Sequence, residues 1–280
     1  MLKSFRVLLG SAFALLLGFV LVACGDGKTS GSSSTSAKAG NTTMEAIKSR
    51  GVLVAGVKND VPNIALLNPG TKEIEGFEVD IVKMIAKDIL GDENKVRLDA
   101  VTAKTRGPLL DNGTLDLVVA TFTITEERKK TYDFSEPYYE DPVGFLVLKK
   151  SRIPNFKGLD GKVVGVSSAS STAKIVKEAA ANEKIKVTIK EFADYPSLKS
   201  ALDSGRIDAF SVDKTILSGY FDDNNVLLDD ELQPQLYGVA TRKSDPEWSE
   251  YINNFIVSNK EAIDELAVKW NLKRYKSEEE

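Results

Sequence analysis

Three threonines at alternate positions, Thr121, Thr123 and Thr125, lead into Glu126, Glu127 and Arg128. Upstream, the apolar run from Leu115 to Ala120 reads as a buried strand. Thr125 is spaced to cap a following helix, and the two glutamates in its first turn suit the positive end of the dipole. A strand end, hydroxyls, helix-start N–H groups and one guanidinium together make a seat for a carboxylate. The hydroxyls and N–H groups donate, and the arginine grips two oxygens at once. Taken alone, such a junction is also what a surface turn with a solvated arginine looks like; the rest of the chain weighs toward the anion seat.

Positioning that seat requires strands and helices in alternation, and the hydrophobic pattern supplies them. Val52–Val57 reads as a strand followed by a polar loop, Lys58 to Pro62. Gly76 opens a helix with Phe77, Ile81, Ile85 and Ile89 spaced four apart, and Gly91 stops it. Val96–Val101 is a second strand, Arg106–Asn112 a short helix ended by Gly113, and Leu115–Ala120 a third strand. This alternation predicts a parallel sheet with helices on both faces. Tyr132–Pro142 is rich in aromatics and proline and reads as irregular, before an apolar strand at Val143–Leu148.

A second pass follows: a strand at Lys162–Val166, a hydroxyl-rich turn at Ser167–Thr172, a helix to Ala181, a strand at Ile185–Phe192, a helix at Tyr195–Ser204, and a strand at Ile207–Val212 closing on Asp213. Lys214–Phe221 reads as helical, Leu236–Ala240 as a late strand, and Glu247–Trp270 as one or two amphipathic helices, with Trp248 and Trp270 in the core. Two α/β halves with facing strand-end loops imply a ligand cleft between them.

Composition narrows the function. The 280 residues are 42% apolar with a net charge of -4, as for a soluble globular protein of one or two domains. No basic excess or aromatic–basic stripe suggests nucleic acid. Histidine is absent, which removes His-based triads and the commonest metal ligand; no metal or cofactor site is visible. At the N-terminus, Lys3 and Arg6 precede an apolar stretch from Val7 to Val22, a signal-peptide pattern for residues 1–23. A Ser/Gly/Thr-rich segment, residues 24–43, reads as a flexible tether, so folding is expected to begin near Met44.

Several motifs carry a family resemblance: Gly76-Phe77-Glu78-Val79-Asp80, Leu115 through Arg128, Asp133-Phe134-Ser135-Glu136-Pro137-Tyr138-Tyr139, Val164-Gly165-Val166, and Gly205-Arg206-Ile207-Asp208-Ala209. In this order, over Met44 to Trp270, they resemble the solute-binding proteins of bacterial polar amino acid ABC transporters, family 3. Leu21-Val22-Ala23-Cys24 resembles the lipobox of bacterial lipoproteins, which implies lipid attachment at Cys24, the single cysteine. The resemblance implies a periplasmic-binding-protein type II fold: lobe 1 at 44–142 plus 237–280, lobe 2 at 143–236, and a two-strand hinge near Asp141–Phe145 and Leu236–Ala240.

It further implies that Arg128 clamps a ligand α-carboxylate beside Thr123, with Thr121 offering a backbone carbonyl and Asp213 pairing with the α-ammonium. Ser171 and Thr172 would complete the carboxylate site, although the turn Ser170-Ser171-Thr172 departs from the usual Gly-Thr-Thr and its register is open by one. An N-cap role for Asp213 is the plainer alternative. Phe77 is expected among the ligand contacts. Arg106 and Lys58 are placed either to meet a distal carboxylate, favouring glutamate, aspartate or glutamine, or simply in solvent. The aromatic sandwich usual in arginine and lysine binders is weakened, because its first position is Val61.

The resemblance thus implies an extracytoplasmic receptor, lipid-anchored to the outer face of the cell membrane and monomeric. Its partners would be a free amino acid and a membrane permease with its ATPase, with no chemistry performed. Two alternatives stand beside it: a cyclohexadienyl dehydratase-like enzyme using Glu78 or Glu140 as acid, and a surface adhesin.

Overall fold

A computed structural model describes residues 42–273. The expected leader, Cys24, the tether up to residue 41 and the acidic tail lie outside the described residues. Thr42 and Thr43, read as the end of the tether, instead begin the fold: Thr42 caps the first helix through a reciprocal capping box with Glu45.

The chain runs α1 (Thr43–Arg50), β1 (Leu53–Val57), β2 (Asp60–Val61), β3 (Ala65–Leu67), β4 (Ile74–Glu75), α2 (Phe77–Leu90), β5 (Val96–Ala100), α3 (Arg106–Asp111), β6 (Leu117–Val119), α4 (Glu126–Lys129), β7 (Tyr132–Phe134) and β8 (Tyr139–Leu148). It continues β9 (Val163–Ser167), α5 (Thr172–Asn182), β10 (Thr188–Phe192), α6 (Tyr195–Asp203), β11 (Ala209–Asp213), α7 (Lys214–Gly219), β12 (Asn225–Leu227), β13 (Pro234–Tyr237), β14 (Ala240–Arg242), α8 (Pro246–Ser258) and α9 (Lys260–Lys269). Among the described residues no helix is long and apolar enough to cross a membrane.

Two sheets organise these elements. The first has the order β5-β1-β6-β14-β7, the second β10-β9-β11-β8-β12. Neither is purely parallel as the sequence suggests. In the first, β1 runs parallel to β5 and β6, but β14 is antiparallel to β6 and β7. In the second, β8 is antiparallel to β11 and β12. β8 and β14 follow the preceding strands β7 and β13 directly, with no helical crossover between, so they enter reversed.

The central strands of the two sheets correspond, Val54-Ala55-Gly56-Val57 to Val163-Val164-Gly165-Val166. Both glycines are required by close packing. A Cβ on Gly56 would lie 2.6 Å from Leu115 Cδ1, and one on Gly165 would lie 2.5 Å from Ile207 Cδ1. β1 is buried along its whole length, as expected for a strand with covered faces. Trp248 is fully buried and donates its Nε1–H to the Asp116 carbonyl, and Trp270 packs half-buried at the core edge.

β8 links the sheets. Its first residues pair with β13, Tyr139 opposite Tyr237 through Pro142 opposite Pro234, and from Val143 onward it pairs with β11. The segment Tyr132–Pro142, expected to be irregular, therefore supplies both β7 and the crossing part of β8. Its aromatics suit strands, and cross-strand pairing accommodates Pro142. Pro142 sits where β8 changes partner. The late strand expected at Leu236–Ala240 is two strands interrupted at Gly238-Val239.

Candidate functional site

The turn after β6 is tightly constrained. Thr121 has φ +46°, a left-handed conformation rare for a β-branched residue. Both its peptide groups are held from behind. Its N–H donates to Glu78 Oε1 at 2.6 Å, and its carbonyl accepts from Arg106 Nη1 at 3.1 Å, which also reaches the Ala120 carbonyl at 2.6 Å. Strain of this kind persists only where the surroundings over-determine it.

Thr125 caps α4 as expected, accepting from Arg128 N–H at 3.2 Å. This fixes the Arg128 backbone, and its Nη1 donates to the Thr123 carbonyl at 2.8 Å. The guanidinium lies 4.9 Å from the Phe122 ring centroid, and the Arg106 guanidinium lies 3.9 Å from the same centroid. Burial and the neighbouring Arg106 cation lower the Arg128 pKa to about 9, so it remains a cation at neutral pH.

The second lobe faces this turn. Arg128 Nη2 donates to the carbonyl of Ala169 at 3.3 Å across the cleft, and Ala169 itself has φ +62°. α5 begins at Thr172, which settles the helix start, and Ser171 precedes it. The Ser171 hydroxyl donates to Gln235 Oε1 of β13 at 2.7 Å rather than capping the helix. Asp213 ends β11 and is nearly buried. It stands at the head of α7 but makes no side-chain cap bond there, which corrects the N-cap alternative; it accepts from Tyr237 Oη at 2.5 Å instead. Burial raises its carboxyl to about 6, against the hydrogen bond from Tyr237 and the Arg106 and Arg128 cations.

Arg106 and Lys58 are not solvated surface residues: both are buried. Lys58 lies 3.1 Å from Asp60 Oδ1 and 4.5 Å from the centre of the Tyr195 ring, contributed by α6 of the other lobe. Burial lowers its pKa, opposed mainly by Asp60. Glu78 is fully buried, accepts from Tyr138 Oη at 2.6 Å, and is raised to about 7 by burial. Among the described residues Glu78 Oε2 and Arg106 Nε have no hydrogen-bond partner.

Phe77, expected among the ligand contacts, is buried, with the Tyr138 and Tyr139 ring centroids at 6.1 and 5.7 Å. The helix periodicity that located Phe77 is the same signal that buries it. The contacts link Arg128 to Thr123 and to Ala169 of the second lobe, Arg106 to the Thr121 carbonyl, and bring Lys58 and Asp213 within electrostatic reach of Arg106; Ser171 is tied to β13, and Thr172 opens α5. Sequence reasoning overlooked Tyr195 and Tyr237, and weighed Glu78 only as an enzyme's acid. Tyr195 follows Asp194, which caps α6; a capped helix start at a strand end was the available signal. Among the described residues no cluster of His, Cys, Asp and Glu could hold a metal ion.

With this geometry in hand, comparison with known proteins is informative. The profile of the bacterial extracellular solute-binding proteins, family 3, matches residues 53–273. The ABC transporter glutamine-binding protein GlnH of Bacillus subtilis is 40% identical over 276 residues, covering 96% of this chain and 97% of that protein. The glutamine-binding protein of Geobacillus stearothermophilus is 40% identical over 230 residues, covering 81% and 86%. Among solved structures, an ancestral arginine-binding protein bound to glutamine superposes with a TM-score of 0.71 at 32% identity, covering 79% of this chain and 98% of that one.

Proposed function

We propose that this chain, which belongs to the bacterial extracellular solute-binding proteins of family 3, takes glutamine as its preferred ligand and glutamate less well. It is an amino acid receptor of an ABC importer, with the two-lobed type II fold of periplasmic binding proteins, and not an enzyme. The dehydratase and adhesin alternatives fall with that family assignment.

The observation that carries the ligand reading is charge balance. Arg128 and Asp213 lie on opposite sides of a cleft whose lobes touch through Arg128–Ala169 and Lys58–Tyr195. They suit the carboxylate and ammonium of one α-amino acid, and a ligand bridging both favours the shut form by differential contact. Deeper in, Lys58 and Arg106 are matched by Asp60 and Glu78. A pocket near neutrality suits an amide better than a second carboxylate, since an extra buried charge there would lack a partner. The glutamine-binding proteins of Bacillus and Geobacillus, at 40% identity, support this choice. Thr121, Thr123, Ser171 and Thr172 are the proposed donors and acceptors around the α-carboxylate and ammonium.

The family locates the protein outside the cytoplasm. Finer details are our reading: a leader at 1–23, lipidation of Cys24, a tether, lobe 1 at 44–142 plus 237–280, lobe 2 at 143–236, a monomer, and delivery to a permease with its ATPase. Motion is assigned to β8 and β13 where they pair between the sheets.

Thermal unfolding against a panel of amino acids tests the proposal. Glutamine at about a hundred times its Kd should add roughly 2.7 kcal/mol. A larger shift with arginine or cystine would overturn the charge-balance argument, and no shift with any amino acid would overturn the receptor reading for this site.

A further inference from the structure

We propose that Asp141, in the crossing segment of β8, is a positioning residue for the ammonium site: it shares one proton with Asp213 across Tyr237, and an arriving ammonium displaces that proton to solvent. The inference rests on reading Asp213 as the ammonium's partner.

Asp141 is fully buried, and nothing assigned to the cleft so far uses it. Both its oxygens accept from the Thr215 N–H, at 3.1 and 3.0 Å. The Tyr237 hydroxyl lies 2.5 Å from Asp213 Oδ2 and 3.4 Å from Asp141 Oδ2. A phenol has one proton to donate, and the shorter leg goes to Asp213. The two carboxylates are therefore within about 6 Å of each other, the legs laid end to end, with the Tyr237 hydroxyl between them. Two buried like charges at that range do not both ionise readily; one proton stays on the pair, which titrates as a unit.

The surroundings decide which acid keeps it. Facing Asp213 are Arg106 from α3, Arg128 from α4, Tyr195 from α6 and Tyr237 from β13. Among the described residues, the groups that act on Asp141 are Asp213, Tyr237, and the peptide and side chain of Thr215. The cations stabilise Asp213 as the anion, and burial beside that anion holds Asp141 as the neutral acid. The bookkeeping of charge is simple. Before binding, the pair carries one proton and one negative charge. The ammonium keeps its three protons, its charge favours full ionisation of the pair, and the displaced proton goes to buffer.

The location makes this a positioning role. Asp141 and Tyr237 belong to the paired crossing strands, Asp213 to the second lobe, and the neighbouring β13 carbonyl of Leu236 accepts from Ile124 N–H in the first lobe's site turn at 2.8 Å. The protonation state of the pair is thus tied to the segment that joins both halves of the site.

Two measurements on the full chain test it. First, the aspartate carboxyl carbons are titrated by NMR without ligand. One carboxyl should titrate well above the ordinary aspartate range, and Asp141→Asn should remove it and lower the titration of a second. If every aspartate titrates below about pH 5, the inference is wrong whatever the ligand proves to be. Second, glutamine binding is followed by calorimetry in buffers of different ionisation enthalpy. Wild type should release protons near pH 6.5, and below pH 6, where Asp213 must lose a proton as well as the one displaced from Asp141, its affinity should fall more steeply than tenfold and toward a hundredfold per pH unit.

Asp141→Asn should bind with little proton release and a flat profile between pH 6 and 8, whereas a merely structural role would lower affinity equally at all pH values. Tyr237→Phe, which keeps the ring and removes the shared donor, should weaken binding more at pH 6 than at pH 8. A wild-type profile that is flat, or variants that reproduce its slope, would overturn the proposal. Absence of any binding would strike the function above instead, with the NMR titration still deciding the proton.

Discussion

In the first lobe the cleft is backed by three buried charged side chains: Glu78 and Arg106 grip a strained turn through its peptide groups, and Lys58 is held by Asp60. In the second lobe the contributing groups are a helix start and a single acid, and both lean on β13: Ser171 on Gln235, and Asp213 on Tyr237. The first lobe is thus a preorganised seat, costly to build but rigid, since each buried charge is bonded in place. The second borrows its orientation from the strands that join the lobes, so its geometry depends on how those strands sit. The contrast explains why the arginine seat reads clearly in sequence and its counterpart does not.

The sharpest way to break the comparison is Arg128→Ala. Removing the half-buried cation should weaken glutamine binding by roughly 3 kcal/mol or more, over a hundredfold in Kd by titration calorimetry, with Tm without ligand nearly unchanged. A loss under tenfold would mean that the first lobe is not the seat.

Glu78 tests the cost of preorganisation. Its folded carboxyl is raised to about 7 from 4.5, so the folded protein retains a proton that the unfolded chain gives up. The sign follows: stability present below pH 4.5 is lost as pH rises through about 7, amounting to roughly 3 kcal/mol from this group. Glu78→Gln keeps an acceptor for Thr121 and Tyr138 and should flatten that decline in ligand-free melting curves between pH 5 and 8. An unchanged slope would show that Glu78 is not the source.

The same pocket sets selectivity. At pH 8, where Glu78 is ionised, Glu78→Gln removes a negative charge and should raise the glutamate-to-glutamine affinity ratio about tenfold, and Lys58→Met should lower it by a similar factor. Competition binding would read both, and parallel shifts in the same direction would contradict the charge-balance argument. Smallest of all, Lys129→Ala and Lys130→Ala remove exposed pairs with Glu126 and Glu127 and should leave both Tm and binding essentially unchanged.

The alternation of apolar strands with four-residue apolar spacing in α2, the glycine stops, and the Thr125 cap before Arg128 were legible because each depends on residues near one another in sequence. So was membership of the family, through ordered motifs. The mixed sheet direction, β7, and the crossing part of β8 were not legible, because a strand's direction and partner are set by elements a hundred residues away. Burial of Arg106 and Lys58 was likewise undecided: a charged residue in a loop reads as solvated until another lobe covers it, as Tyr195 covers Lys58.

The sequence by itself thus determined which residues could seat a carboxylate and in which local elements they stand. Only the tertiary structure decided that Asp213 answers to Tyr237 rather than to its own helix, and that Glu78 holds the Thr121 turn. Local hydrogen bonds and periodicity act over a few residues, whereas desolvation and pairing of buried charges depend on surfaces that meet only in the fold.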